Sequence, residues 1–190
     1  MSKTRAVILV TVAAWMVAAV TSAESGDVAG VGANRPAFCS GNLPASLAAP
    51  AGHGLAFELS AEGVQIYVCG GAAGAFAWAF QAPEAKLVDF RGQPAGTHYA
   101  GPTWEGLDGS KVVGAKVEGA TPDPTAIPWL LLRAASNAGT GRMADVTFVQ
   151  RIQTHGGLAP DGGCGASNVG VVVRVPYHAT YCYHRSIPKP

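Results

Sequence analysis

The apolar residues of this 190-residue chain occur in short runs that Gly, Pro and one Asp-Gly pair interrupt, and this pattern constrains the fold more than any other feature. Short apolar runs bounded by turn residues are typical of strands joined by tight connections. Helical periodicity is hard to find anywhere in the chain. We therefore predict an all-β, mainly antiparallel, single-domain fold, either a sandwich or a small barrel, with little helix.

Ten segments fit the strand pattern. They are residues 55–59, 64–69, 75–80, 86–90, 103–106, 111–117, 127–133, 145–154, 169–175 and 179–184. Within the third segment, Phe76, Trp78 and Phe80 share one face, which we expect to be the core side. Asp108-Gly109 predicts a hairpin between the fifth and sixth segments, because Gly tolerates a positive φ and Asp can accept from nearby backbone amides. The one helical element that we allow for is a short helix near Ala134.

The N-terminus has the order of a cleavable signal peptide. Lys3 and Arg5 precede an apolar run over residues 6–20, and the small residues Thr21 and Ala23 follow it. We predict a signal peptide over 1–23, a flexible leader over 24–36 and a β-rich domain over 37–190. An uncleaved anchor is the alternative, but the run is shorter than the roughly 20 apolar residues of a spanning helix. We expect no stable membrane span after cleavage.

Four cysteines, Cys39, Cys69, Cys164 and Cys182, follow the predicted cleavage site. An even number of cysteines in an oxidising compartment indicates two disulfides, and with the signal peptide it indicates a secreted or periplasmic, cell-envelope protein. Three pairings are open. We favour Cys39 with Cys182, which ties the two ends of the domain together, and Cys69 with Cys164. A zinc site of four cysteines is disfavoured, because no two of them have the close spacing that structural zinc sites use.

The charge balance argues against nucleic acid as a partner. The formal net charge is +1, and loss of Lys3 and Arg5 with the signal peptide changes it to −1. No basic stripe remains to neutralise phosphates. The sequence leaves the oligomeric state open.

The most distinctive segment is residues 96–105, in which His98, Tyr99, Trp104 and Glu105 surround a Gly-Pro turn. Aromatic rings beside a carboxylate suit a carbohydrate-like ligand, whose apolar face stacks on a ring while its hydroxyls need acceptors. A small apolar ligand is the other candidate. The competing interpretation is structural, with Trp104 and Tyr99 in the core and Glu105 paired with Lys111 across the hairpin.

Two further hypotheses assign other chemistry. A secreted hydrolase or lyase would use His98 as general acid or base, with Glu105 or Asp108 orienting it. A metal-binding protein would use His178 and His184, which share one face of a strand with Cys182, and it requires a free Cys182 thiol. We expect no cofactor: residues 139–144 resemble a dinucleotide fingerprint only distantly, and no helix is predicted after them.

A family resemblance extends over most of the chain after the signal peptide. It is carried by residues 65–69, 78–80, 82–85, 98–105, 108–114, 127–132, 149–154, 156–157 and 175–177. Together these motifs resemble the secreted family known as domain of unknown function 3455. The resemblance implies a signal peptide, a β-rich extracytoplasmic domain and a bridge between Cys69 and Cys164, and it supplies no accepted activity. The chain departs from the family pattern at Cys182, which interrupts a Tyr-rich strand and for which Cys39 is a partner.

Taken together, these features favour a noncatalytic extracytoplasmic module. It either binds a carbohydrate-like or small apolar ligand around His98, Tyr99, Trp104 and Glu105 or has a structural role in the envelope.

Overall fold

The computed structural model describes residue 39 and residues 41–188. The predicted signal peptide, the leader over 24–36 and the predicted start of the β-rich domain at residue 37 lie outside the described residues.

Eight antiparallel strands, each hydrogen-bonded to the next along the chain, close into a barrel because β8 also pairs with β1. The strands are β1 His53–Ala72, β2 Ala75–Val88, β3 Pro94–Tyr99, β4 Thr103–Gly106, β5 Lys111–Ala120, β6 Trp129–Ala138, β7 Val146–Gly156 and β8 Val172–Ser186. Consecutive connections therefore alternate between the two ends of the barrel. We call the end with connections 100–102, 121–128 and 157–171 the open end, and the end with connections 89–93, 107–110 and 139–145 the closed end.

The all-β prediction is confirmed, and of the two architectures offered the barrel is the one observed. The strands are longer than expected, because three pairs of predicted segments merge into β1, β2 and β8. Gly63, Pro83 and Pro176 resemble strand breaks but lie within paired strands. A Cβ at Gly63 would collide with the Glu84 carbonyl oxygen, so glycine permits the close approach of β2. The helix allowed for near Ala134 is wrong, since Ala134 lies in β6.

The Asp108-Gly109 hairpin forms as predicted between β4 and β5, and it also closes one end of the barrel. Asp108 accepts hydrogen bonds from the Ser110 backbone amide at 2.9 Å and from the Arg142 amide at 2.8 Å. The Ser110 hydroxyl in turn accepts from the Met143 amide at 2.9 Å. These bonds hold residues 139–145 across the closed end and bury the Met143 side chain completely.

The outer face of β7 and β8 is also buried, because the segment that begins at Cys39 covers it. Leu47, which is fully buried, packs on Leu131 and Phe148. The Gln150 side chain donates to the Leu47 carbonyl oxygen at 2.6 Å and pairs with His184 Nε2 at 2.9 Å. This cover explains why β8 is buried on both faces near its end.

The structure contains the disulfides Cys39–Cys182 and Cys69–Cys164, the pairing favoured from the sequence. The first attaches the cover to the outer face of β8. The second joins the extended β1–β2 hairpin to the loop before β8, where the Trp78 indole also donates to the Gly162 carbonyl oxygen at 2.8 Å. Such bridges are typical of proteins in oxidising compartments. Among the described residues, no helix is long and apolar enough to cross a membrane.

Candidate functional site

The upper half of the barrel interior, toward the open end, holds a cavity of about 540 Å³. Its walls come from all eight strands and from the connections at the open end. The lining residues include Gln65, His98, Trp104, Lys116, Leu130, Arg151 and Tyr181. Most of the remaining wall is apolar. A volume between about 300 and 1,000 Å³ with apolar walls and few polar groups is typical of small-molecule sites.

An aromatic cluster forms the floor of the cavity. The His98 and Trp104 rings, directly opposite each other on β3 and β4, stack at 4.6 Å with an interplanar angle of 11°. The Tyr181 ring meets both edge-on, at 5.0 Å from His98 and 5.3 Å from Trp104. Gly114 makes room for the indole, because a Cβ there would lie 2.9 Å from a Trp104 ring carbon. The cluster therefore has fixed geometry before any ligand arrives.

His98 is a neutral imidazole. Burial lowers its pKa to about 3, against a smaller opposing effect of its hydrogen bond to the Thr103 carbonyl oxygen. That bond spans 2.8 Å from Nδ1. Because a carbonyl oxygen only accepts, Nδ1 carries the proton and Nε2 is left as an acceptor. With so low a pKa, His98 is a poor general base or acid near neutral pH.

Gln65, Arg151 and Lys116 are three of the polar side chains in the mainly apolar walls. Gln65 is 2% exposed, and its amide nitrogen has no hydrogen-bond partner among the described residues. Arg151 is half-buried, and its Nε and Nη2 donate to the Pro128 carbonyl oxygen at 3.1 and 2.9 Å. Lys116 lies exposed at the rim. A buried donor without a partner is costly in a folded protein, so Gln65 marks a place where a ligand atom would be stabilised.

The charge of Arg151 acts on four groups in the interior. Burial raises the pKa values of Tyr67, Tyr177 and Tyr181, and the positive charge of Arg151 partly opposes this effect. The same charge adds to the effect of burial in lowering the pKa of His98. Tyr67 donates to the Gly157 carbonyl oxygen at 2.6 Å, so its hydroxyl is already satisfied.

The structure separates the four residues singled out from the sequence into two pairs. His98 and Trp104 point into the cavity, whereas Tyr99 and Glu105 lie on the outer face of the same two strands. Tyr99 donates to a Glu105 carboxylate oxygen at 2.8 Å, and Lys111 Nζ lies 3.1 Å from the same oxygen. The Tyr99 hydrogen bond, followed by that of Lys111, lowers the pKa of Glu105. Trp104 is thus interior and Glu105 is paired across the hairpin, while Tyr99 is not a core residue.

The structure does not place the residues of the hydrolase or lyase hypothesis, or those of the metal-binding hypothesis, in the arrangement that each requires. His98 and Glu105 lie on opposite faces of the sheet, so they cannot act on one reacting atom. Cys182 is in a disulfide, which removes the thiolate from the metal hypothesis, and six residues of strand place His178 and His184 about 20 Å apart. In residues 39 and 41–188, no group of three or more His, Cys, Asp or Glu side chains could hold a metal ion.

The prediction that Phe76, Trp78 and Phe80 face the core is wrong. Their part of β2 extends past the aromatic floor toward the open end, and Phe80 is 54% exposed at the cavity mouth, with its ring 5.7 Å from that of Tyr67. Alternation identified their shared face correctly, but it could not show that the barrel is unfilled at that level.

Sequence reasoning missed Gln65 and Arg151. The signal for Arg151 was its spacing: it follows the buried Val149 by two residues in β7, so it lies on an inner face where a charge is unusual. Gln65 stands two residues before Tyr67 on the inner face of β1. Neither signal identifies a cavity until the barrel closes and brings β1, β7 and β8 together.

The comparisons with known proteins give a family and no activity. A family model described as "Protein of unknown function (DUF3455)" matches residues 50–185, which include all eight strands except the last residue of β8. No curated protein matches the chain. No solved structure matches it either.

Proposed function

The chain belongs to the DUF3455 family, whose description names no activity, and we propose that it is an exported, noncatalytic binding module that holds one small, largely apolar ligand inside its barrel. The predicted signal peptide over residues 1–23 delivers it to a secreted or periplasmic location, where both disulfides form. The ligand enters at the open end and rests on the aromatic floor.

The observation that carries this proposal is the unfilled upper half of a barrel whose lower half is filled. Eight-stranded barrels either pack their interior with side chains or enclose one small ligand. Here Met143 and inward side chains of the strands, among them Leu59 and Val112, fill the closed end, whereas the open end keeps about 540 Å³ beside the aromatic cluster. An apolar space of that size that nothing fills weakens the fold, because unfilled volume forfeits packing contacts.

The lining supports an apolar ligand over a carbohydrate. A sugar needs several acceptors for its hydroxyl groups as well as a ring to stack on. The carboxylate once expected to serve it, Glu105, faces outward and is already paired with Tyr99 and Lys111. No Asp or Glu lines the cavity among the described residues.

A cavity-filling substitution tests the proposal. Leu130 lines the cavity, and Leu130→Trp would occupy part of it; Leu107→Trp is the matched control, because Leu107 is 72% exposed at the closed end. Exported protein would be titrated with 2-naphthol, followed by ligand fluorescence. We expect wild type and Leu107→Trp to bind 2-naphthol with similar affinity. The affinity of Leu130→Trp should be lower by about tenfold or more. Equal affinity in all three, or no binding by wild type, contradicts the proposal.

A further inference from the structure

The cavity has an uneven charge balance. Two cations, Arg151 and Lys116, line it, and no carboxylate does among the described residues. The ion pairs of this part of the chain lie elsewhere, at Lys111–Glu105, Arg174–Glu84 and Arg185–Asp145. Arg151 is therefore a half-buried cation without an ionic partner in the described residues. Buried charge is normally paired, and a half-buried cation with no carboxylate beside it favours an anion from outside the chain.

Arg151 is also held in place before any ligand binds. Its Nε and Nη2 both donate to the Pro128 carbonyl oxygen, which fixes the plane of the guanidinium group. A guanidinium has five N–H donors, so donors remain after these two bonds. A fixed guanidinium with spare donors is well suited to a carboxylate or another planar oxyanion.

Gln65 supplies a second, independent observation. Its side chain is almost fully buried, lines the same cavity, and offers an amide nitrogen without a partner among the described residues. An unpaired N–H donor favours a ligand that brings an acceptor. The cationic groups and this amide thus favour the same kind of ligand atom, an oxygen that accepts hydrogen bonds and carries negative charge.

From this juxtaposition of Arg151, Lys116 and the unpaired Gln65 amide in one apolar cavity, we infer that the ligand is a small apolar acid, an aromatic or aliphatic body that carries a carboxylate or comparable oxyanion. The apolar body rests on His98, Trp104 and Tyr181, and the oxyanion bonds with Arg151 and Gln65 while Lys116 adds charge at the rim. The inference rests on the proposed function, since it names the class of ligand for the same cavity.

The test compares ligands that match in shape and differ in charge. Wild-type exported protein would be titrated by calorimetry with 2-naphthoate and 2-naphthamide, and with decanoate and decanol for the aliphatic case. We expect the affinity for each acid to exceed that for its neutral counterpart by about tenfold or more, because the acid forms a charge-assisted hydrogen bond. The pair with the larger preference distinguishes an aromatic acid from a fatty acid.

Variants locate the charge. Arg151→Met should lower the acid-to-amide affinity ratio at least about fivefold, because Lys116 alone then favours the acid, while the affinity for 2-naphthamide changes by less than about threefold. Arg133→Met is the matched control, because Arg133 is exposed on β6, and it should keep the wild-type ratio. If Arg151→Met does not fold, as thermal unfolding would show, Lys116→Met should still lower the ratio, and Lys86→Met, at an exposed position of β2, should not.

The outcomes separate the two claims. If the neutral compounds bind as tightly as the acids, and Leu130→Trp weakens both, the cavity binds ligand but the inferred charge is wrong. If the preference for acids survives both Arg151→Met and Lys116→Met, the inferred site of the charge is wrong. If no probe of either kind binds to wild type, the proposed function itself fails.

Discussion

The two ends of this barrel are built from the same eight strands, yet one is filled and the other is hollow. At the closed end, the connection 139–145 bends inward and places Met143 among Leu59, Val112 and Val146. At the open end, the connection 121–128 contributes Ile127 and Pro128 to the wall but leaves the space between them and the aromatic floor empty. The difference shows that the connections help to decide which part of this interior is core and which is a site.

The largest effect should come from a cavity at the closed end. Met143→Ala removes fully buried atoms from a packed region and leaves a cavity there, so we expect a loss of about 2–5 kcal/mol in the free energy of unfolding. Leu130→Ala at the open end should lose about 1 kcal/mol, because the removed atoms already face the cavity. Urea unfolding of both variants measures the contrast. Equal losses would mean that the open end is packed as tightly as the closed one.

His98 should make the open end sensitive to acid. Burial lowers its pKa from 6.5 to about 3 in the folded protein, so the unfolded chain takes up a proton first as the pH falls. Its contribution to stability is complete above pH 6.5 and is lost as the pH falls toward 3, with a slope of at most about 1.4 kcal/mol per pH unit.

His98→Phe keeps a ring on Trp104 and removes the titration, so the free energy of unfolding should fall less steeply between pH 6.5 and 3 than in wild type. The other buried histidine, His184, whose pKa burial also lowers, is present in both proteins and cancels in the comparison. His178→Phe, at an exposed position, should keep the wild-type slope. An unchanged slope in His98→Phe would show that His98 is hydrated in the folded protein.

The closed end should respond to acid through Asp108 and over a lower pH range. The Arg142 amide first, and then the Ser110 hydroxyl and amide, lower the pKa of Asp108 to about 2. A lowered carboxylate pKa gives stability that is present above the unfolded value near 3.8 and is lost as the pH falls toward 2. Asp108→Asn should lower the melting temperature at neutral pH and lessen the decline below pH 4. The control Asp161→Asn, in an exposed loop at the open end, should change neither.

Local features of the fold could be predicted from the sequence, whereas features that depend on closure could not. The Asp108-Gly109 hairpin needs only its own residues and was predicted. The continuity of β1, β2 and β8 was missed, because Gly63, Pro83 and Pro176 look like strand ends until the partner strands are known: Gln65 pairs with Pro83, and Val64 with Pro176.

The same distinction holds for the candidate site. His98 and Trp104 were identified because they are close in sequence and unusual in type. Gln65 and Arg151 come from strands far apart in the chain, and only the pairing of β8 with both β1 and β7 brings them to one cavity. The side of the sheet on which Glu105 lies depends on the register of β3 and β4, which pairs His98 with Trp104.

The smallest effect should come from Glu105, and it sharpens the contrast between the two faces of one strand. Trp104 and Glu105 are adjacent in β4, so alternation sends one side chain into the cavity and the other to the outer surface. Glu105→Gln keeps an acceptor for Tyr99 and removes the ion pair with Lys111 on the outer face, so the affinity for 2-naphthol should stay within about twofold of wild type. Trp104→Phe should weaken the same binding, because it shrinks the aromatic floor while it keeps a buried ring. If Glu105→Gln weakened binding more than Trp104→Phe did, the outer face would be the site and the cavity would not.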